Sequence, residues 1–430
     1  MPGVTLDHEP PIHNNESGGA NGAEQRNGTT TLKADTNMES SQSQHGEEQQ
    51  QQQQQRQQLR RRAVNGVPLA TDSPDASAPE STDTAAASAK GIRFAPLRVP
   101  LRRRKQTFAV LFHCSFLMMS VPLFFFCCAV PLAWPIIIPY VLMLLMSNAS
   151  TNGKLSWRSQ WFRRLPIWTW FANYFPAELI KTADLPADRK YIFGYHPHGI
   201  ISHGAWVAFG TEALGFRHKF PGITNALLTL DSNFHIPFYR EYLLMAGMCS
   251  VARESIINLL SRGGPDGKGQ GRAVTIVIGG ARESLQANPG TLRLVLHGRA
   301  GFIKVAMATG ADLVPVLGFG EVDLYTQLQG DEHPLLRRFQ MHVLKVWKFT
   351  LPFMRGRGVF NYDYGLMPYR HPLHIVVGRP IPVAKAASDT LDPAEVDRLH
   401  GLYCDELRRL WDTYKDKYAP DRVEEMQILP

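Results

Sequence analysis

"Y-I-F-G-Y-H-P-H-G-I-I-S-H-G", residues 191–204, places three histidines within eight positions directly after an apolar run. The run at 191–194 reads as a buried strand ending in glycine, and the spacing of "I-S-H-G-A-W-V-A-F-G-T-E-A-L-G-F" suits a helix. His196 then sits at the C-terminal end of a strand, close to a helix N-terminus, the crevice in which open α/β sheets bind ligands. Pro197 fixes its own backbone and removes one N–H, and Gly199 permits close approach of a substrate. A neutral imidazole in that crevice can take a proton from an alcohol and return it to a leaving group. A histidine that merely fills space fits the local sequence as well. A metal site is not expected, because no Cys, Asp or Glu stands within a few residues of His196, His198 and His203.

Working outward, "A-V-T-I-V-I-G-G" (273–280), "A-D-L-V-P-V-L-G-F-G" (311–320) and "H-I-V-V-G" (374–378) also read as buried strands. "G-F-I-K-V-A-M-A-T-G" (301–310) reads as a short helix with a glycine stop. Near the end, Asp392, Pro393 and Glu395 form a helix start of capping-box type, and Val396, Leu399, Tyr403, Leu407, Leu410, Trp411 and Tyr414 recur on one packing face. The pattern predicts an α/β domain over 186–425 with its sheet covered on both faces. The glycine-rich stretch 261–272 is no phosphate loop: Arg262 stands where the first glycine is needed, and neither Ser nor Thr follows Lys268. It reads as a surface loop with Lys268 and Arg272 free to meet an anion.

Composition divides the rest. Residues 1–95 are polar, carry a glutamine run at 49–55 and the cluster Arg60-Arg61-Arg62, and read as a disordered tail with no nucleic-acid role. Residues 107–147 contain no Asp, Glu, Lys or Arg and are flanked by "R-V-P-L-R-R-R-K-Q" (98–106) and "K-L-S-W-R-S-Q-W-F-R-R" (154–164). That is a membrane segment. It is too long for one crossing and is divided by Pro122, Pro131, Pro135 and Pro139. The economical reading of 96–150 is a helical hairpin with both termini cytosolic; a single kinked helix is the alternative. In 151–185, Trp157, Trp161, Trp168, Trp170 and Tyr174 interleave with Arg158, Arg163 and Arg164, as interfacial anchors do. The net charge of +8 is modest, and five cysteines without paired spacing fit a reducing compartment.

Other segments supply candidates for the same crevice. In "G-G-A-R-E-S-L", Gly279, Gly280 and Glu283 follow a strand; the carboxylate could orient the imidazole or serve only as a helix-start glutamate. "D-S-N-F-H-I-P-F-Y-R-E-Y" supplies Arg240 and Glu241, and "H-G-R-A-G-F-I-K-V-A" supplies Arg299 and Lys304, suited to the phosphates of a large anionic co-substrate or to a solvated face.

"Y-F-P" (174–176), "H-P-H-G" (196–199), "V-I-G-G-A-R-E-S-L" (277–285) and "R-A-G-F-I-K-V-A-M-A-T-G-A-D-L-V-P-V-L-G-F-G-E" (299–321) occur in this order. Together they resemble the type-2 acyl-CoA:diacylglycerol acyltransferase family, over about residues 100–420. The resemblance implies transfer of a fatty acyl group from acyl-CoA, as co-substrate and with no further cofactor, to diacylglycerol or a similar lipid alcohol. It implies an endoplasmic-reticulum or lipid-droplet membrane, an α/β domain like that of glycerolipid acyltransferases, His196 as the catalytic histidine with Pro197, His198 and Gly199 as its motif, and Glu283 as partner. An oligomer is compatible with it. The His-x4-Asp pair of the more distant glycerolipid acyltransferases is missing, since Ile201 stands at the aspartate position. Arg240 and Glu241 resemble, loosely, the acceptor-binding block of those enzymes. A membrane esterase would need a G-x-S-x-G elbow, which is absent from the sequence. A lipid-binding scaffold would have no use for His196 and Glu283 at strand ends.

Overall fold

The computed structural model describes residues 94, 96, 98–327, 354–388 and 391–429, all within one of the two units into which the chain divides, Asp83–Pro430. The tail expected to be disordered lies outside the described residues apart from Phe94.

Eleven strands are described, seven of them in one sheet. In chain order these seven are β1 (Glu178–Lys181), β2 (Tyr191–His196), β3 (Thr224–Thr229), β4 (Cys249–Ser250), β5 (Arg272–Val277), β7 (Asp312–Phe319) and β10 (His374–Val377). They lie in the order β1-β10-β7-β2-β5-β3-β4, parallel except for the β10–β7 pair. The four expected strands are all present, and β2 and β7 are buried along their whole length at the centre. Strands β1, β3 and β4 were not expected; β1 and β4 are short edge strands of four and two residues. Two short pairs stand outside the sheet: β6 (Arg293–Val295) with β11 (Gln427–Leu429), and β8 (Thr326–Gln327) with β9 (Met354–Arg355).

Alternation along β2 divides the core. Tyr191, Phe193 and Tyr195 join the cluster built with the Pro166–Tyr174 and Tyr239–Met245 helices, and Ile192 joins the cluster built with the Arg253–Ser261, Gly301–Thr309 and Pro393–Tyr418 helices. The Gly301–Thr309 helix stops at Gly310, whose φ of +68° is left-handed, as expected. In the Pro393–Tyr418 helix Asp392 caps Ala394 N–H at 3.0 Å, but Glu395 pairs with Arg398 instead of closing a capping box. Its predicted packing face is buried from Val396 to Trp411. The helix expected after His203 is short, Ala205 leading into a single π-helical turn over Trp206–Gly210. Arg163, itself fully buried, donates to the carbonyls of Phe209, Gly210 and Thr211 and ends it.

Among the described residues one helix, Leu101–Ala129, is long and apolar enough to cross a membrane by length and composition, and only 11% of its most apolar window is buried. It runs unbroken through Pro122, and a turn at Pro131–Ala133 leads to the shorter apolar helix Trp134–Met146. The first helix docks on the sheet domain through its N-terminal half. Ala109 and Val110 are fully buried, and His113 Nδ1 lies 2.7 Å from the Tyr242 hydroxyl. From Met118 onward most residues are exposed, up to Leu132 in the turn at 88%. Phe124 of the first helix and Tyr140 of the second both lie against the Phe238 ring.

The aromatic and basic residues of 151–185 divide as well. Trp161 and Arg164 are exposed and Trp157 is partly so, but Trp168, Tyr174 and Arg163 belong to the core. Tryptophan spacing alone could not separate the two groups, because the Pro166–Tyr174 helix turns one face into the domain. The stretch 261–272 is an exposed loop at Lys268, entered from a helix, as the failed phosphate-loop pattern required.

Candidate active site

His196 ends β2 and its side chain is fully buried. Its Nε2 lies 3.0 Å from the hydroxyl of Tyr403 on the tail helix, and its Nδ1 has no hydrogen-bond partner. Burial lowers the imidazole to about 3, so the ring is neutral at physiological pH. The peptide bond to Pro197 is cis.

The loop that follows is held by two buried carboxylates. Glu283, on the short helix Gly280–Ser284 after β5, accepts from His198 N–H at 2.5 Å and from Val295 N–H at 2.8 Å. Burial lifts its carboxyl to about 7, against the pull of those two N–H groups and of the Arg299 charge. Glu321, just past the end of β7, accepts from His203 N–H at 2.7 Å, Gly204 N–H at 2.8 Å and the Tyr195 hydroxyl at 2.8 Å. It thereby satisfies the free N–H groups at the start of the 203–210 turns. Burial lifts this carboxyl too to about 7, opposed by the same three donors. Gly199, at φ +57°, passes so close to Glu321 that an added Cβ would stand 2.7 Å from its Cγ. Only glycine meets both conditions there.

Glu283 was expected to orient the His196 ring. The structure corrects that: both its oxygens are taken by backbone N–H groups, so it fixes the loop and not the imidazole. Its placement needs Gly279, since a side chain there would collide with the Glu283 carboxyl, while Gly280 turns the chain at φ +58°. His198 is half-buried, its Nδ1 donating to the Gly199 carbonyl at 3.1 Å, and burial lowers its pKa. His203 lies on the opposite side of the sheet, Nε2 3.1 Å from the Tyr325 hydroxyl and its ring stacked on Phe175. The three histidines therefore do not converge, and among the described residues no group of three metal-ligating side chains occurs.

The remaining candidates fall into two groups. Arg299 stands half-buried in the turn before the Gly301–Thr309 helix, near enough for its charge to act on Glu283; Lys304 lies on the exposed face of that helix. Arg240 is buried and donates to Ser147 Oγ at 2.6 Å, and Glu241 accepts from the Tyr140 hydroxyl at 2.7 Å. Their bonds tie the Tyr239–Met245 helix to the second apolar helix and its end rather than to the 196–199 loop. Tyr403 and Glu321 were not foreseen as site residues. Tyr403 read as one member of a packing face, and Glu321 only closed a long motif. The available signal was Gly194, a glycine inside a strand, which marks close approach by another group.

The family model described as "Diacylglycerol acyltransferase" matches residues 124–428. The chain belongs to that family. It is similar to diacylglycerol O-acyltransferase 2A of Umbelopsis ramanniana, 49% identical over 78% of this chain and 94% of the relative. It is also similar to 2-acylglycerol O-acyltransferase 1 of Bos taurus, 41% identical over 76% and 96% respectively. Among solved structures, the 1-acyl-sn-glycerophosphate acyltransferase of Thermotoga maritima aligns at a TM-score of 0.34 and 11% identity, over 72% of this chain and 97% of that one. So low a score bears no weight on the fold. All four motifs that carried the resemblance lie within the described part of this acyltransferase, and three of them meet around β2.

Proposed function

We propose that this acyltransferase moves a fatty acyl group from acyl-CoA directly to the free hydroxyl of diacylglycerol, with His196 as the general base. The observation that carries this reading is a neutral, fully buried imidazole at a strand end with one ring nitrogen unpaired. As the acceptor oxygen attacks the thioester carbonyl, its proton passes to His196. The C–S bond then breaks and the departing thiolate takes that proton, leaving triacylglycerol and CoA. Desolvation keeps the ring's lone pair free at neutral pH, and charge developing on the substrate oxygens raises its basicity in the transition state. Backbone N–H groups around Gly199 or Gly279–Gly280 would face the oxyanion. Thiolate is a good leaving group, so no acyl-enzyme is needed. The thiol of Cys249 is buried and pushed up to about 12, unsuited to a nucleophile. Arg299 and Lys304 would meet CoA phosphates.

The membrane arrangement follows from lengths. The part of the first apolar helix beyond Met118 spans about 18 Å and the second helix about 20 Å, each short of the ~30 Å hydrocarbon core. The reading this supports is a hairpin that enters and leaves through one leaflet, both ends on the cytosolic face of the endoplasmic reticulum or on a lipid droplet. Acceptor and product then enter and leave laterally. A monoacylglycerol acceptor is the second reading, favoured by the likeness to the 2-acylglycerol enzyme.

The test is incubation of membranes with labelled acyl-CoA and a panel of acceptors. His196→Ala should abolish transfer while the protein stays membrane-bound; near wild-type activity would remove His196 from the mechanism. The acceptor that is esterified fastest decides between the two substrates.

A further inference from the structure

We infer that Tyr403 is a positioning residue that fixes the tautomer of His196, with the proton on Nε2, so that Nδ1 is the nitrogen that receives the acceptor's proton. The inference rests on the reading of His196 as the base. Tyr403 lies midway along the Pro393–Tyr418 helix, fully buried, with its ring edge-on to Phe302 at 5.0 Å. Its hydroxyl lies 3.0 Å from the Gly194 carbonyl oxygen and 3.0 Å from His196 Nε2. A carbonyl can only accept, so the single hydroxyl hydrogen points to Gly194. What the hydroxyl then offers Nε2 is a lone pair, and the bond forms only if Nε2 carries the hydrogen. Nδ1 is left with the lone pair, and it is the nitrogen without a partner. Burial keeps the phenol far above its ordinary range, so it remains a hydroxyl at any working pH.

The backbone is shaped around this contact. Gly194 and His196 are two apart on one strand and face the same side. A Cβ on Gly194 would strike the Tyr403 hydroxyl, so the strand carries glycine where the phenol must reach the carbonyl. When Nδ1 takes the proton, Nε2–H becomes part of a cation and its bond to the hydroxyl strengthens. Tyr403 thus holds the ring and supports its charge without receiving a proton, the part a buried carboxylate plays in a Ser-His-Asp triad.

The test uses the full chain in membranes with acyl-CoA and diacylglycerol. Tyr403→Phe keeps the ring and removes the hydroxyl; kcat should fall about 10- to 100-fold, less than the ~10²–10⁴-fold that a general base itself contributes, while KM for acyl-CoA holds. His196→Gln keeps an N–H donor where Nε2 stood, so it should be inactive yet melt close to wild type, whereas His196→Ala melts lower. Wild-type kcat in Tyr403→Phe, with His196→Ala inactive, overturns the positioning role and leaves the base in place. Loss of folded Tyr403→Phe protein, or a KM that rises in step with the fall in kcat, assigns Tyr403 to packing and also overturns it. Activity in His196→Ala would instead remove the base itself.

Discussion

His196, Glu283 and Glu321 are buried ionisable side chains at the 196–204 loop, brought there from three separate segments, and their burial ties stability to pH. Each carboxyl is raised from the usual carboxylate range to about 7, so the folded protein holds a proton there that the unfolded chain has released. The stabilisation this gives is complete below about pH 4.5 and is lost as pH rises through 7. The His196 ring acts in the opposite sense, since the unfolded chain binds a proton between about pH 3 and 6.5 that the folded ring does not. The two can be separated by substitution. Relative to Glu283→Gln, the wild-type melting temperature should decline between pH 4.5 and 7. A flat difference would mean that Glu283 is not raised. Glu321→Ala strips three donors of their acceptor, each worth about 1–3 kcal/mol when left unmet. It should therefore lower stability far more than a surface substitution, as read by thermal unfolding.

The loop 196–199 works as an element only because both flanks are clamped. His198 N–H is tied to the short helix after β5, and His203 and Gly204 N–H are tied to the end of β7. Gly199→Ala places a side chain against Glu321 at a left-handed φ. The backbone alone costs about 1–2 kcal/mol, and the collision adds to it. The expected outcome is lower stability together with lower turnover, because the same shift moves His196. Full activity with a lowered melting temperature would show that the clamp serves folding alone. The tail helix belongs to the same scale: it lies far along the chain, yet it brings Tyr403 against the strand that carries His196.

At the scale of the whole molecule, one long apolar helix is divided between a half docked on the domain and an exposed half. Its N-terminal half packs on Tyr242 and Trp206 through His113, and Arg370 reaches back to Gln106 at 2.6 Å. What remains free is a tip centred on Leu132. A hairpin confined to one leaflet predicts that Leu132→Cys escapes a membrane-impermeant maleimide from both sides, whereas Trp161→Cys reacts from the cytosolic side. Labelling of Leu132→Cys from the lumen would show that the hairpin crosses the bilayer.

Much of this was legible in the residues. The apolar runs of β2, β5, β7 and β10 identify themselves because a buried parallel strand needs no alternation, and a charge-free run of 41 residues between basic flanks marks the long apolar helix and the shorter one after it. The "H-P-H-G" and 299–321 motifs identified the family, and the placement of His196 at a strand end followed from local pattern alone. Long-range partners were decided only by tertiary structure. That Glu283 would bind backbone, that Arg240 would bond to the end of the second apolar helix, and that Tyr403 would lie against His196 from 207 residues away depend on how the helices pack on the sheet. Periodicity tells which face of a helix is buried; the group it meets there is set by the register of packing, which no single segment encodes.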